Sequence, residues 1–210
     1  MAMISVLVAN AKGGCGKTTI ATNLATAFAS AGLKTGLADG DRQRSCLAWS
    51  KRRPKEAARI QILDWRKSLE KRPKGLERLV IDSGAGLRSG HVRELLAKAD
   101  VLVMPVQPSI FDERATATFL KKVDELKPVR KGRKPVIVVG NRMRSRTRAA
   151  AELDDFLAGL GHDVAARLHD RAIYADVARQ GLGIFDLSPA RRAGVVEDWL
   201  PLIRRIEKAA

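Results

Sequence analysis

The sequence predicts an α/β fold, a mostly parallel sheet flanked by helices on both faces. Three observations point there. Apolar runs of strand length alternate with helix-length segments, as in repeated strand–helix–strand units. A glycine-rich turn carrying Gly13, Gly14 and Gly16 stands directly between the first strand and the first helix. The chain has 210 residues, enough for one well-buried α/β domain and too few for two ordinary ones. Residues 1–210 therefore read as one domain, with no internal repeat and no low-complexity tract.

The first strand is drawn over residues 3–9, an apolar run interrupted by Ser5 and closed by Asn10. It lacks a basic leader, so it reads as a strand and not as a signal peptide. A helix over 17–31 follows the turn, with Gly32 as its expected C-cap. Further strands are expected over 34–39, 59–63, 78–82, 100–105 and 134–140. Helices are expected over 43–52, 88–98, 111–126, 147–159, 170–180 and 190–208. Pro54, Pro73 and Pro128 punctuate connections rich in Lys and Arg. No stretch approaches the roughly 18 apolar residues of a membrane span, and a cytoplasmic protein is expected. Cys15 and Cys46 form neither a disulfide framework nor a C-x-x-C metal pattern; a redox role for Cys15 stays open.

Residues 10–19 carry the sharpest chemistry. A strand, a glycine turn and a helix start together make a phosphate cradle, because backbone N–H groups at Gly13, Gly14, Cys15 and Gly16 can wrap a polyphosphate. Lys17 is placed to neutralise β and γ oxygens, Thr18 to hold Mg²⁺, and Thr19 to continue the cradle. A second lysine, Lys12, stands five residues before Lys17, and two such lysines crowd one triphosphate within one subunit. The stretch K-G-G-x-G-K-T resembles the deviant Walker A signature of the ParA/MinD group of ATPases. That resemblance implies a single-domain P-loop NTPase that uses ATP and Mg²⁺. It also implies that Lys12 reaches across a dimer interface onto the partner's nucleotide.

The strand 34–39 runs into Asp39-Gly40-Asp41-Arg42-Gln43, which resembles the D-x-D-P-Q segment of that group, with Arg42 in place of proline. Residues i and i+2 share one side of a strand. By the resemblance Asp39 supports the Mg²⁺ shell and Asp41 positions the attacking water; two carboxylates capping the next helix are the plain alternative. Leu79-Val80-Ile81-Asp82 is an apolar strand closing on a carboxylate, the pattern of a magnesium-shell residue, with a turn or cap as the alternative. Ala85 stands where the group commonly has proline, and Gly86 follows it. Ala99 to Ser109, with Asp112 beyond, resembles another recognisable stretch of the group. Asn141 resembles the residue that hydrogen-bonds the adenine edge in relatives; a turn asparagine is the alternative. The likeness spans nearly the whole chain. Its nearest shape is the short partition ATPase, because the phosphate loop is reached by residue 12.

The charge is lopsided, with 39 Lys and Arg against 23 Asp and Glu, a formal +16. Such a field favours a polyanion. Aromatic residues are only 4% of the chain, which argues against stacking on single-stranded bases and for sequence-independent contact with duplex phosphates. Arg142, Arg144, Arg146 and Arg148 are the candidate DNA contacts, and any one of them could equally be a solvated surface charge. The amphipathic segment Val195–Ile206 is expected to pack on the core; Glu197 and Asp198 and the lack of a linker disfavour a membrane anchor.

The functional expectation is a ParA-like ATPase. ATP would close a homodimer, the dimer would hold double-stranded DNA non-specifically, and a ParB-like or cargo-adaptor protein would stimulate hydrolysis. Its place would be the cytoplasm, on the nucleoid, and its cargo a plasmid, a chromosome region or a protein assembly. A MinD-like membrane-associated regulator of division-site placement is the alternative. An iron–sulfur reductase would need paired cluster cysteines that Cys15 and Cys46 do not supply.

Overall fold

The computed structural model describes residues 3–66, 72–84 and 89–209, apart from the side chains of 89–91. Its centre is a seven-stranded, all-parallel sheet. The strands are β1 (Ile4–Val8), β2 (Thr35–Gly40), β3 (Ile60–Asp64), β4 (Arg78–Ser83), β5 (Val101–Val106), β6 (Val136–Met143) and β7 (Asp163–His169). They lie in the order β3-β2-β4-β1-β5-β6-β7. The helices in chain order are α1 (Lys17–Ser30), α2 (Ser45–Ser50), α3 (Ser89–Ala97), α4 (Ile110–Asp124), α5 (Lys127–Arg130), α6 (Arg148–Gly159), α7 (Ile173–Arg179), α8 (Pro189–Arg192) and α9 (Leu200–Glu207).

The central strands are apolar along their whole length because both faces are covered. Successive side chains of β1 and β4 point opposite ways. Val6, Val8 and Val80 join a core with Ile20, Leu24 and Phe28 of α1 and with Trp199, Leu202 and Ile206 near the C-terminus. Leu7, Leu79 and Ile81 join the other core, with Leu95 and Leu96 of α3 and Phe119, Leu120 and Val123 of α4. Gly32 ends the first helix as expected: its φ is 83°, and Leu33 N–H returns to the Phe28 carbonyl.

Two expectations need correcting. Residues 163–169, to which the sequence assigned no element, form β7, an edge strand that among the described residues pairs with β6 alone. The helix expected over 190–208 is instead α8, a 3₁₀ turn at Val196–Asp198, and α9. Gly194 at φ 72° and Pro201 in the first turn of α9 account for the break. The apolar face of that segment nevertheless packs as expected, since Trp199, Leu202 and Ile206 are fully buried.

Candidate nucleotide site

In an open parallel sheet, functional groups gather beyond the carboxyl ends of the strands, where the chain leaves for a helix on either face. Here β1 leads into the glycine turn, β2 and β4 carry Asp39 and Asp82 one residue before their ends, β5 leads to Gln107, and β6 carries Asn141. Asp39 and Asp82 are direct neighbours in register on adjacent strands.

The turn is braced by amide side chains from three directions. Asn10 Nδ2 donates to the Pro105 carbonyl and to Thr116 Oγ1, both at 2.8 Å, which ties the start of the turn to β5 and α4. Gln107 Nε2 donates to the Gly14 carbonyl at 2.7 Å. Asn141 Nδ2 donates to the Cys15 carbonyl at 2.8 Å. Gly16 has φ 95°, and a Cβ there would lie 2.1 Å from Asn141 Nδ2, so both conformation and space demand glycine. Gly13 and Gly14 are exposed at the crest of the turn. Cys15 is buried inside it, and burial raises its thiol pKa.

The two lysines separate in space. Lys17, the first residue of α1, is buried and turns its Nζ back into the loop, 2.8 Å from the Lys12 carbonyl oxygen. Lys12 is half-exposed, and its ammonium makes no ion pair among the described residues. Asp112 is the buried carboxylate nearby. Burial raises its pKa, and the positive field of Lys12 opposes that rise.

Thr18 Oγ1 donates to Asp82 Oδ2 at 2.7 Å, and the Cys46 thiol donates to the same oxygen at 3.2 Å. Asp82 Oδ1 is buried with no hydrogen-bond partner among the described residues. Burial pushes the Asp82 carboxyl up to about 7, against the hydrogen bonds from Thr18 and Cys46. A buried acceptor without a donor is costly, and a cation would relieve it. Hydroxyl and carboxylate oxygens suit a hard cation such as Mg²⁺, which takes one or two protein ligands and fills its octahedron with phosphate oxygens and water. The residues present therefore fit the ion. Cys46 is held as a neutral thiol, since burial and then Asp82 raise its pKa well above the ordinary value.

Asp39 differs from Asp82. Both of its oxygens already accept backbone N–H groups, Oδ1 from Asp41 and Oδ2 from Leu47, each at 2.9 Å. Its geometric work is to fix the Asp41 backbone and the start of α2. Asp41 is partly exposed, its Oδ1 accepts the Gln43 N–H at 3.1 Å, and it packs close to Gly84. Ala85 and Gly86 lie outside the described residues.

Beside Thr19 and Asn141 opens a cavity of about 440 Å³, lined also by Arg142, His169, Asp170, Arg171 and Tyr174. His169 Nδ1 lies 2.9 Å from Asp198 Oδ2. Arg142 stands on β6 and was expected as a DNA contact; His169, Asp170, Arg171 and Tyr174 stand at the end of β7 and around the start of α7, and sequence reasoning did not place them at this site. Of the expected DNA contacts, all four are exposed on the same edge; Arg144 pairs with Asp170 at 2.8 Å and Arg148 with Glu152 at 2.7 Å.

Residues 6–182 match the CobQ/CobB/MinD/ParA nucleotide binding domain, which is most of the chain. The chain belongs to that family. As a member it is a nucleotide-binding ATPase. It is 27% identical over 200 residues to maintenance of carboxysome distribution protein A of Halothiobacillus neapolitanus, covering 92% of each chain. Among solved structures it superposes on the MinD cell division protein of Aquifex aeolicus with a TM-score of 0.76 at 20% identity, over 98% of this chain and 97% of that one. It also superposes on Cyanothece McdA, solved with ATP, with a TM-score of 0.73 at 14% identity, over 99% and 96%. The two structural likenesses speak to the fold.

Proposed function

We propose that the chain is a ParA-like positioning ATPase. ATP closes two subunits face to face over their phosphate loops, the dimer holds duplex DNA without sequence preference, and a cargo adaptor ends the cycle by stimulating hydrolysis. The observation that carries this reading is the separation of the two lysines. Lys17 sits inside its own loop, whereas Lys12 is half-exposed and makes no ion pair among the described residues, with the buried Asp112 in its field. A cation so placed is suited to a second subunit's phosphates. The carboxysome-distribution relative favours a large protein assembly as cargo over a plasmid.

Within the site, the turn N–H groups and Lys17 receive the β and γ phosphates. Thr18 and Asp82 would hold Mg²⁺, with Asp39 fixing the Asp41 backbone beside them. The bound ion would supply charge neutralisation on the phosphate oxygens. Asp41, adjacent to Gly84, orients the attacking water. The cavity beside Asn141 takes the nucleoside. Asn141 commits its amide nitrogen to Cys15, which leaves the amide oxygen as the acceptor for a base amino group. Positioning and charge are nearly all that phosphoryl transfer asks of the protein, so unstimulated turnover is slow. A C-terminal membrane helix has no support here, because Leu202 and Ile206 lie in the core.

The test is retention of duplex DNA with ADP, ATP and a slowly hydrolysed analogue, read beside mass by light scattering. Dimer mass and strong retention in the two ATP arms alone are expected. A monomer in all three states would sink the sandwich.

A further inference from the structure

The sheet's amino end carries a second basic surface. α4 starts at the carboxyl edge and runs back for 15 residues, about 22 Å at 1.5 Å per residue. Its last turn, α5 and the turn into β6 therefore lie at the far end from the phosphate loop. Leu126 and Val129 pack onto the core and turn the intervening charges outward. Lys121, Lys122, Lys127, Arg130, Lys131 and Arg133 are all exposed, against one exposed carboxylate, Glu125. None of the six side chains makes an ion pair among the described residues, whereas the neighbouring Asp124 is engaged by His162. Lys134 is different: its Nζ donates to the Leu96 and Ala99 carbonyls.

We propose that this hairpin is a nucleotide-independent binding surface for the phosphate backbone of duplex nucleic acid. The proposal rests on the reading of DNA as the polyanion but not on the ATP gate. A sandwich joined at the carboxyl edges leaves both hairpins at its outer ends, so the surface is equally available in monomer and dimer. Leu126, Pro128 and Val129 are only partly buried here, but no large hydrophobic side chain of the segment is exposed among the described residues, which suits phosphates rather than a bilayer that an interfacial segment enters with an apolar face. The exposed large hydrophobics among the described residues, Ile110 and Phe111, are at the opposite end of α4. Such a surface would keep the ADP-bound monomer weakly on DNA between cycles.

The experiment measures binding of a fluorescent 30-base-pair duplex to the full chain in ADP, across a salt series, for the parent and for Lys127→Glu/Arg130→Glu/Lys131→Glu. The parent is expected to bind weakly, with log K falling linearly in log salt. The variant should lose about 30-fold at low salt, roughly threefold for each of three phosphates, with a slope shallower by about 2.7. ADP and ATP binding should stay at the parental level, which shows the variant is folded, and the Gln triple variant, which removes the same three cations without adding carboxylates, should show the same change of slope. Parental ADP-form binding that is absent, or unchanged in the variant, overturns the proposal. So does a variant that loses phosphatidylglycerol vesicles while keeping DNA. Failure of the ATP-dependent dimer would leave this result standing, because it is read in ADP.

Discussion

At the carboxyl end of the sheet, Asn10, Gln107 and Asn141 each aim an amide at a particular backbone carbonyl, and Asp39 holds two backbone N–H groups. At the amino end, six cations between Lys121 and Arg133 stand in solvent with no ion pair among the described residues. The first edge works by position: one atom moved changes what the loop can hold. The second works as a field, in which only the sum of charges matters and salt screens it. Substitutions should therefore act steeply at one edge and gradually at the other.

The steepest effect is expected from Lys17→Ala. It removes a buried cation aimed into the loop, a loss of roughly 3 kcal/mol or more and so beyond about 100-fold in ATP affinity. Calorimetric titration checks it, and micromolar affinity retained in the variant would move the phosphate site elsewhere. Asp41→Ala should slow turnover by about 100-fold, the lower range for a positioned proton acceptor, while ATP binding holds. Parental turnover in that variant would reduce Asp41 to the turn contact with Gln43.

Lys12→Ala should spare the monomer's ATP affinity and weaken the dimer by about 100-fold, because the symmetric dimer loses two charge-assisted phosphate contacts at about tenfold each. Light scattering with a non-hydrolysable analogue reads it; an unchanged dimer yield would remove Lys12 from the interface. Asn141→Ala removes the brace on the Cys15 carbonyl and the proposed acceptor for the base, about 1 kcal/mol each, so ATP affinity should fall about 30-fold. No change there would mean the loop keeps its shape through Gln107 and Asn10 alone.

How much of this was legible in the chain follows the same division. Strands buried on both faces announce themselves as apolar runs, and β1, β2, β4, β5 and β6 fall where those runs lie. β7 was missed because Asp163-Val-Ala-Ala-Arg-Leu-His is an edge strand with charges inside it, pairing across two register shifts. The break before α9 had signals, Gly194 and Pro201, which the amphipathic spacing of the segment outweighed. The loop residues could be read from local spacing. Their supports could not: Gln107 meets Gly14 across 93 positions, and Cys46 meets Asp82 across 36. Such contacts belong to the sheet order, which no local pattern states.

The smallest effect is expected at Arg144, Arg146 and Arg148, and it sets the two basic surfaces against each other. Arg144 and Arg148 already face Asp170 and Glu152, so much of their charge is answered within the protein. Surface pairs of this kind are worth about 0–1 kcal/mol, but to meet a phosphate they must first open. Arg146 makes no ion pair among the described residues and is the exposed cation left over. Changing all three to Gln should therefore cost about threefold per subunit in DNA affinity in the ATP form, with a salt slope shallower by about 0.9 per subunit, the share of one phosphate each. Gln is preferred to Glu, since added carboxylates beside Asp170 and Glu152 would repel DNA whatever the arginines do. A slope shallower by nearly three times that amount would mean that both pairs open onto DNA. The carboxyl edge would then act as a field too, and the contrast between the two ends of the sheet would fail for DNA while holding for the nucleotide.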